Sequence, residues 1–219
     1  GRDLTDIVDV AEQVKRDGMA KGLAPGTINR RLAVLRRVAN LAHREWEPPW
    51  LERDLGTRIK LLPGEEPRYV QATAEQAKKL IRAAGGRAGA AIEYLALTGL
   101  RPSELLAVGP HSFQDGAIVL TRTKTGRPRI VPVLAELART PFPFGLTASE
   151  LRRGFEAARA VAGLPWLQMR DLRRTFGSWI VQRTRSLKAA QELLGHSTIA
   201  ITSRHYAHLL PEHLREAVN

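Results

Sequence analysis

The chain is 219 residues long, enough for one or two domains with a packed core. Its 34 Lys and Arg against 22 Asp and Glu leave a formal charge of +12, which directs attention to a polyanionic partner, nucleic acid first. The absence of Cys excludes disulfides, thiolate zinc sites, iron–sulfur clusters and cysteine nucleophiles, and 43% hydrophobic residues exclude a disordered basic tail.

In chain order, Ile7, Val10, Ala11 and Val14 recur at helical spacing and predict a first helix over 6–19. A second helix is predicted to open at Pro25-Gly26-Thr27, with Thr27 as its N-cap, and to bury Ile28, Leu32, Leu35, Ala39 and Ala42. Arg30, Arg37 and Arg44 follow one another at two-turn intervals on another face. An ordinary solvated face would look like this. A row of phosphate contacts is the favoured reading, because no carboxylate stands between 24 and 42.

Leu61-Leu62-Pro63-Gly64-Glu65-Glu66-Pro67 breaks the helical pattern and marks a domain boundary. Division there gives residues 1–62 a net charge of +3 and residues 63–219 a net charge of +9. The second part begins with a helix capped by Thr73, presenting Ala74, Ala77, Leu80, Ile81 and Ala84. A largely apolar helix over 88–98 follows, ended by Gly99; the same run is too short, and interrupted by Glu93, to span a membrane. Pro102 opens a short helix. β-like runs at 117–121 and 129–133 flank Lys124-Thr125-Gly126-Arg127, the tip of a predicted hairpin. Helices are predicted over 148–162, 172–182, 188–194, 202–209 and 211–218. The fold class is mainly α with a small β-hairpin.

Several chemistries lack their signatures. There is no glycine-rich phosphate loop with Lys-Ser/Thr, and no evident carboxylate pair to hold magnesium. His205 and His208 lie three apart, but no third metal ligand accompanies them, and surface histidines are the plainer reading. What the chain does offer is guanidinium, ammonium, imidazole and phenol groups in distinct settings. Arg101 sits in Thr98-Gly99-Leu100-Arg101-Pro102-Ser103-Glu104, and Lys124 on the hairpin between Arg122 and Arg127. Arg170 and Arg173 sit in Arg170-Asp171-Leu172-Arg173-Arg174-Thr175-Phe176. His196 occurs in Leu194-Gly195-His196-Ser197, and Tyr206 in Tyr206-Ala207-His208-Leu209. Singly, each has an ordinary structural explanation; together they form a specific pattern.

In type and order these motifs resemble the tyrosine recombinase (phage integrase) family, over about residues 70–210. The resemblance is weaker over 1–62, where Leu4-Thr5-Asp6-Ile7 and Thr27-Ile28-Asn29-Arg30-Arg31-Leu32 are similar to the family's core-binding helices. It implies a helical, SAM-like core-binding domain over 1–62, shortened at its N-terminus, and a catalytic domain over 63–219. The two would clamp a duplex, joined by a linker over 56–68. It further implies DNA cleavage and rejoining through a covalent 3′-phosphotyrosine, without metal or other cofactor. Tyr206 would be the nucleophile, Arg101 and Arg173 the forks on the phosphate oxygens, Lys124 the acid for the 5′-oxygen, and His196 a phosphate ligand. Glu104 would orient the basic groups.

Two departures from the family's pattern stand out. Arg170 occupies a position that is usually His, and an arginine cannot take the phenol proton. Variants with a basic residue there are known in the family, so Arg170 is kept as a phosphate ligand or as a charge that lowers the phenol pKa. The proton acceptor is then His196, His205 or water. The spacing from His196 to Tyr206 is ten, where nine is commoner.

The resemblance also implies double-stranded DNA as partner, with Arg30, Arg37, Arg44, Arg122 and Arg127 on phosphates and Asn29 and Asn40 as candidate base readers. A homotetramer on paired sites, monomeric when free, and a cytoplasmic location complete the expectation. The Gly-Arg-Asp start without a signal-peptide pattern reads as an intracellular fragment. The competing readings are a non-catalytic DNA-binding protein of the same fold, a type IB topoisomerase-like enzyme and, more distantly, an RNA-binding module.

Overall fold

The computed structural model describes residues 4–46, 55–64, 70–121 and 128–210. The chain divides into two compact units, Gly1–Arg68 and Tyr69–Asn219.

The first unit is helical. Its helix α1 (Ile7–Ala20) buries Ile7, Ala11, Lys15 and Gly18. Val14 packs at the margin of this core and Lys15 lies further in: its aliphatic stem packs inside while its ammonium meets Glu12 Oε1 at 2.5 Å. Helix α2 (Pro25–Leu41) starts with Pro25 in its first turn and Ala24 as N-cap, so Thr27 is a helical residue and not the cap. Ile28, Leu32, Ala39 and Ala42 are buried as expected, and Leu35 packs at the margin of the same core. Helix α3 (Leu55–Arg58) and Ile59 close this core. The expected start of the linker at residue 56 is therefore too early. Asn29 shows why the chain stays attached further on. Its amide donates to the Leu62 carbonyl at 2.9 Å and accepts from the Leu62 N–H at 2.8 Å, so both arms are spent on backbone. Asn29 is buried and is not a base reader, whereas Asn40 is exposed.

The second unit is built around α5 (Gly86–Thr98), preceded by α4 (Ala74–Ala83). Thr73 and Gln76 close α4 with a reciprocal capping box, at 3.2 and 2.9 Å. Ala91, Ile92, Tyr94, Leu95, Ala96 and Thr98 are all buried, so the apolar run of the sequence is a central core helix. No described helix is long and apolar enough to cross a membrane. Gly99 ends α5 in the left-handed region (φ 64°), and α6 (Pro102–Ala107) begins three residues later, with Arg101 at its N-cap.

The sheet has three antiparallel strands, β1 (Phe113–Gln114), β2 (Ala117–Leu120) and β3 (Arg129–Pro132), in that order. The first strand adds to the expected hairpin. It is turned into β2 by Asp115-Gly116, both at positive φ (47° and 74°), the backbone that a tight two-residue hairpin requires. Leu120 lies opposite Arg129, and alternation sends Arg129 and Val131 inward and Ile130 and Pro132 outward. Helices α7 (Ala148–Val161), α8 (Met169–Thr184), α9 (Leu187–Leu194) and α10 (Ile199–Tyr206) complete the unit. The second of these starts earlier than the pattern predicts because the Gln168 N–H is held by Asp171 at 2.9 Å. Helix α5 packs on α8, and the main core forms around Ile92, Leu95, Leu100, Leu105 and Leu172. Phe176, Val181, Leu194, Tyr206 and Leu210 form a second cluster. The predicted helix over 211–218 lies outside the described residues.

Candidate active site

Backbone geometry delivers Arg101 first. The left-handed Gly99 turns the chain out of α5 and Pro102 restarts it, so Arg101 stands at a helix start with Glu104 one turn on. One Glu104 oxygen accepts from the Arg101 N–H at 2.8 Å, and the other accepts from the Arg101 guanidinium. Arg129 Nη2 reaches that carboxylate from β3 at 2.7 Å, and Arg173 Nη1 from α8 lies 4.0 Å away. Three guanidiniums from three separate elements thus gather about one buried carboxylate. Burial pushes the Glu104 pKa up, but the Arg101 N–H and the Arg129 and Arg101 charges outweigh it, and the net direction is down.

A second hub is the carbonyl of Leu194. As the last residue of α9 it has no intrahelical donor, and the negative end of the helix dipole favours cations there. Both Arg129 and Arg173 donate to it. Arg173 also donates to the Gly99 carbonyl at 2.6 Å. Burial, with Arg101 and Arg129 nearby, pushes the Arg173 pKa down to about 9, which leaves it charged at neutral pH.

His196 follows directly after the Gly195 turn. Its Nδ1 lies 2.8 Å from the buried Thr202 hydroxyl, and its backbone N–H donates to the Gln191 carbonyl at 3.0 Å. Burial, then the charges of Arg173 and Arg101, push its pKa down to about 4, so the ring is neutral over the physiological range. An open depression is lined by Arg101, Glu104, Arg129 and His196.

Tyr206 is 3% exposed, at the end of α10. Its phenol lies against Gly177, one turn beyond Arg173 on α8, where a Cβ would fall 2.5 Å from the hydroxyl oxygen. Burial raises its pKa, with Arg173 and Arg174 acting in the opposite direction. Burial likewise lowers the pKa of the adjacent His205, helped by Arg174 and Arg204.

The structure therefore brings Arg101, Glu104, Arg173 and His196 together and seats Tyr206 on the helix that carries Arg173. Arg170 is exposed and lines a separate depression with Pro102, Phe155 and Arg159. Lys124, Arg122 and Arg127 lie outside the described residues. Among the described residues no third ligand joins His205 and His208 into a metal-binding group. In the first unit, Arg30, Arg37 and Arg44 are exposed, and Arg36, Arg37, Asn40 and Arg44 line a shared shallow depression. Sequence reading passed over Arg129 as one residue of a β-like run. The available signal was a basic residue at an inward position of an alternating strand.

Residues 145–213 match the family model for the phage integrase family. The chain is 37% identical over 125 residues to the integrase of Haemophilus phage HP1, an alignment covering 55% of this chain and 37% of that protein. It is 28% identical to tyrosine recombinase XerD of Caulobacter vibrioides, covering 100% of this chain and 82% of that one. The integrases of phages HP1 and Pf1 are matched over only 37% and 38% of their own length. The solved catalytic domain of bacteriophage HP1 integrase superimposes with a TM-score of 0.56 at 28% identity, over 69% of this chain and 94% of that one. The Tn1549 transposon integrase, solved with circular intermediate DNA, shares the fold at a TM-score of 0.70 and 20% identity, over 100% of this chain and 85% of that one.

Proposed function

Because the chain belongs to the tyrosine recombinase (phage integrase) family, we propose that it is a site-specific recombinase that cuts and rejoins double-stranded DNA through a covalent 3′-phosphotyrosine. The observation that carries this reading is the gathering of Arg101, Arg129 and Arg173 about Glu104, with a neutral His196 beside them and Tyr206 seated one turn from Arg173.

The chemistry follows from the groups. The Tyr206 oxygen attacks the scissile phosphorus and the bond to the 5′-oxygen breaks, with negative charge building on the non-bridging oxygens. Arg101 and Arg173 each offer a planar fork to that charge. The phenol proton needs an acceptor, since burial holds the hydroxyl protonated. His205, held toward the neutral form, suits that task, as does water. With His196 Nδ1 engaged by Thr202, Nε2 is the ring nitrogen left for the phosphate. Lys124 is assigned the proton for the departing 5′-oxygen, and Arg170 an added positive charge on the DNA. Attack by a DNA 5′-hydroxyl on the phosphotyrosine reverses the step and releases Tyr206.

The first unit is the core-binding domain in this reading, with Arg30, Arg37 and Arg44 on phosphates, and the second is the catalytic domain, to which Arg122 and Arg127 bring further phosphate contacts. Paired DNA sites are held by a homotetramer that is monomeric when free. A nicked suicide substrate tests the core of the proposal: wild type forms a covalent protein–DNA adduct, and Tyr206→Phe binds the same DNA without forming one. An adduct in the Phe variant would move the nucleophile elsewhere. DNA binding without any wild-type adduct would favour a non-catalytic protein of this fold.

A further inference from the structure

Arg129 has no part in the motifs that identify the site, yet it is buried more deeply than Arg101 or Arg173, with a side chain 5% exposed. It hydrogen-bonds to both hubs of the cluster. Nη2 holds the Glu104 carboxylate that also binds Arg101, and Nη1 holds the Leu194 carbonyl that also binds Arg173. The next residue, Gly195, packs its backbone on the same side chain: a Cβ there would meet Arg129 Cδ at 2.7 Å. His196 follows at once. Burying a guanidinium is costly unless its hydrogens find acceptors; here Nη1 and Nη2 find acceptors that also hold Arg101 and Arg173, while the buried Nε has no partner among the described residues. With so little exposed surface, Arg129 acts through its neighbours and not on the phosphate.

We infer that Arg129 is a positioning residue. It ties strand β3 to the C-terminus of α9, and so sets the distance between the Arg101–Glu104 pair and the Arg173–His196 side of the site. The inference rests on the proposed cleavage reaction for its catalytic consequence, but its structural half is measurable without turnover. An arginine is required because its fork meets two acceptors at once; a lysine ammonium on a shorter reach holds one hub and releases the other.

The test uses the full chain with Arg129→Lys and Arg129→Met. Adduct formation on saturating nicked DNA falls about 10–100-fold in both, while the DNA concentration for half-saturation stays within about threefold. The lysine variant restores the thermal midpoint without restoring the rate. Separately from activity, amide exchange at Gly195 and His196, whose N–H groups donate to Glu192 and Gln191, speeds up in both variants while exchange across α7 does not change. A wild-type cleavage rate in Arg129→Lys, or unchanged exchange at those two amides in Arg129→Met, overturns the proposal. A wild-type protein that makes no adduct, yet shows the exchange change on substitution, overturns the reaction and leaves the positioning role standing.

Discussion

The hydroxyl of Tyr206 occupies the space in which residue 177 would carry its Cβ: an added methyl at Gly177 would lie 2.5 Å from the phenolic oxygen and 2.9 Å from Leu194 Cδ1. The resting place of this phenol on α8 is therefore defined by the absence of a side chain.

Gly177→Ala measures that relationship. Alanine favours the helix by about 1 kcal/mol, but overpacking a filled site opposes it by about 1–3 kcal/mol. The second effect wins, so urea unfolding shows a net loss of stability. The adduct rate on nicked DNA falls as Tyr206 is displaced, with DNA binding retained. A variant that is more stable and fully active would show that the phenol has another seat.

Arg173→Lys separates charge from geometry. The guanidinium donates to Gly99 and Leu194 and has further N–H groups, which the proposed reaction directs to a phosphate; an ammonium cannot serve both carbonyls and that phosphate. The expected loss in cleavage rate is about 10²–10³-fold, with little change in DNA affinity. Near-normal cleavage would remove the phosphate-clamp role.

His196 sets a pH dependence whose sign can be worked out. Its folded pKa, about 4, lies below the 6.5 of an unfolded histidine. Between those values the unfolded chain binds the proton and the folded chain does not. Stability is therefore full above pH 6.5 and is lost as pH falls toward 4. Urea unfolding at about pH 7.5 and about pH 5 should differ less in His196→Gln than in wild type. A residual slope from His205, shifted in the same direction, remains. Equal slopes in the two proteins would show that His196 titrates normally.

Asn29 and Arg37 make a contrasting pair on α2. Asn29→Ala abandons both polar groups of Leu62 and costs about 1–3 kcal/mol, read by thermal unfolding, with sequence preference for DNA unaltered. Arg37→Ala leaves stability within about 0.5 kcal/mol and lowers the salt slope of DNA binding by about one. A stable Asn29→Ala variant with changed sequence preference would restore Asn29 as a base reader.

Much of the local architecture is legible in the chain itself. Thr73 with Gln76, Gly99 followed by Pro102, and the alternation in 117–120 are short-range signals, because caps, left-handed turns and strand faces depend on residues a few positions apart. Asp115-Gly116 was equally readable as a tight turn, and it accounts for the extra strand β1. Thr27 misled because a hydroxyl before an apolar stripe looks like a cap, whereas Pro25 with its preset φ had already begun the helix.

The types and order of Arg101, Glu104, Arg173, His196 and Tyr206 were likewise determined by the sequence alone, since motif identity is a property of the chain. What only the tertiary structure decided is who partners whom. Glu104 meets Arg129 across 25 positions, Arg129 meets Leu194 across 65, and Arg173 meets Gly99 across 74. The desolvation that neutralises His196 and keeps the Tyr206 phenol protonated arises from packing among those distant elements. Local propensity is silent on such pairings, because a buried charge finds its partner wherever the folded core leaves an acceptor, and chain distance does not enter that energy.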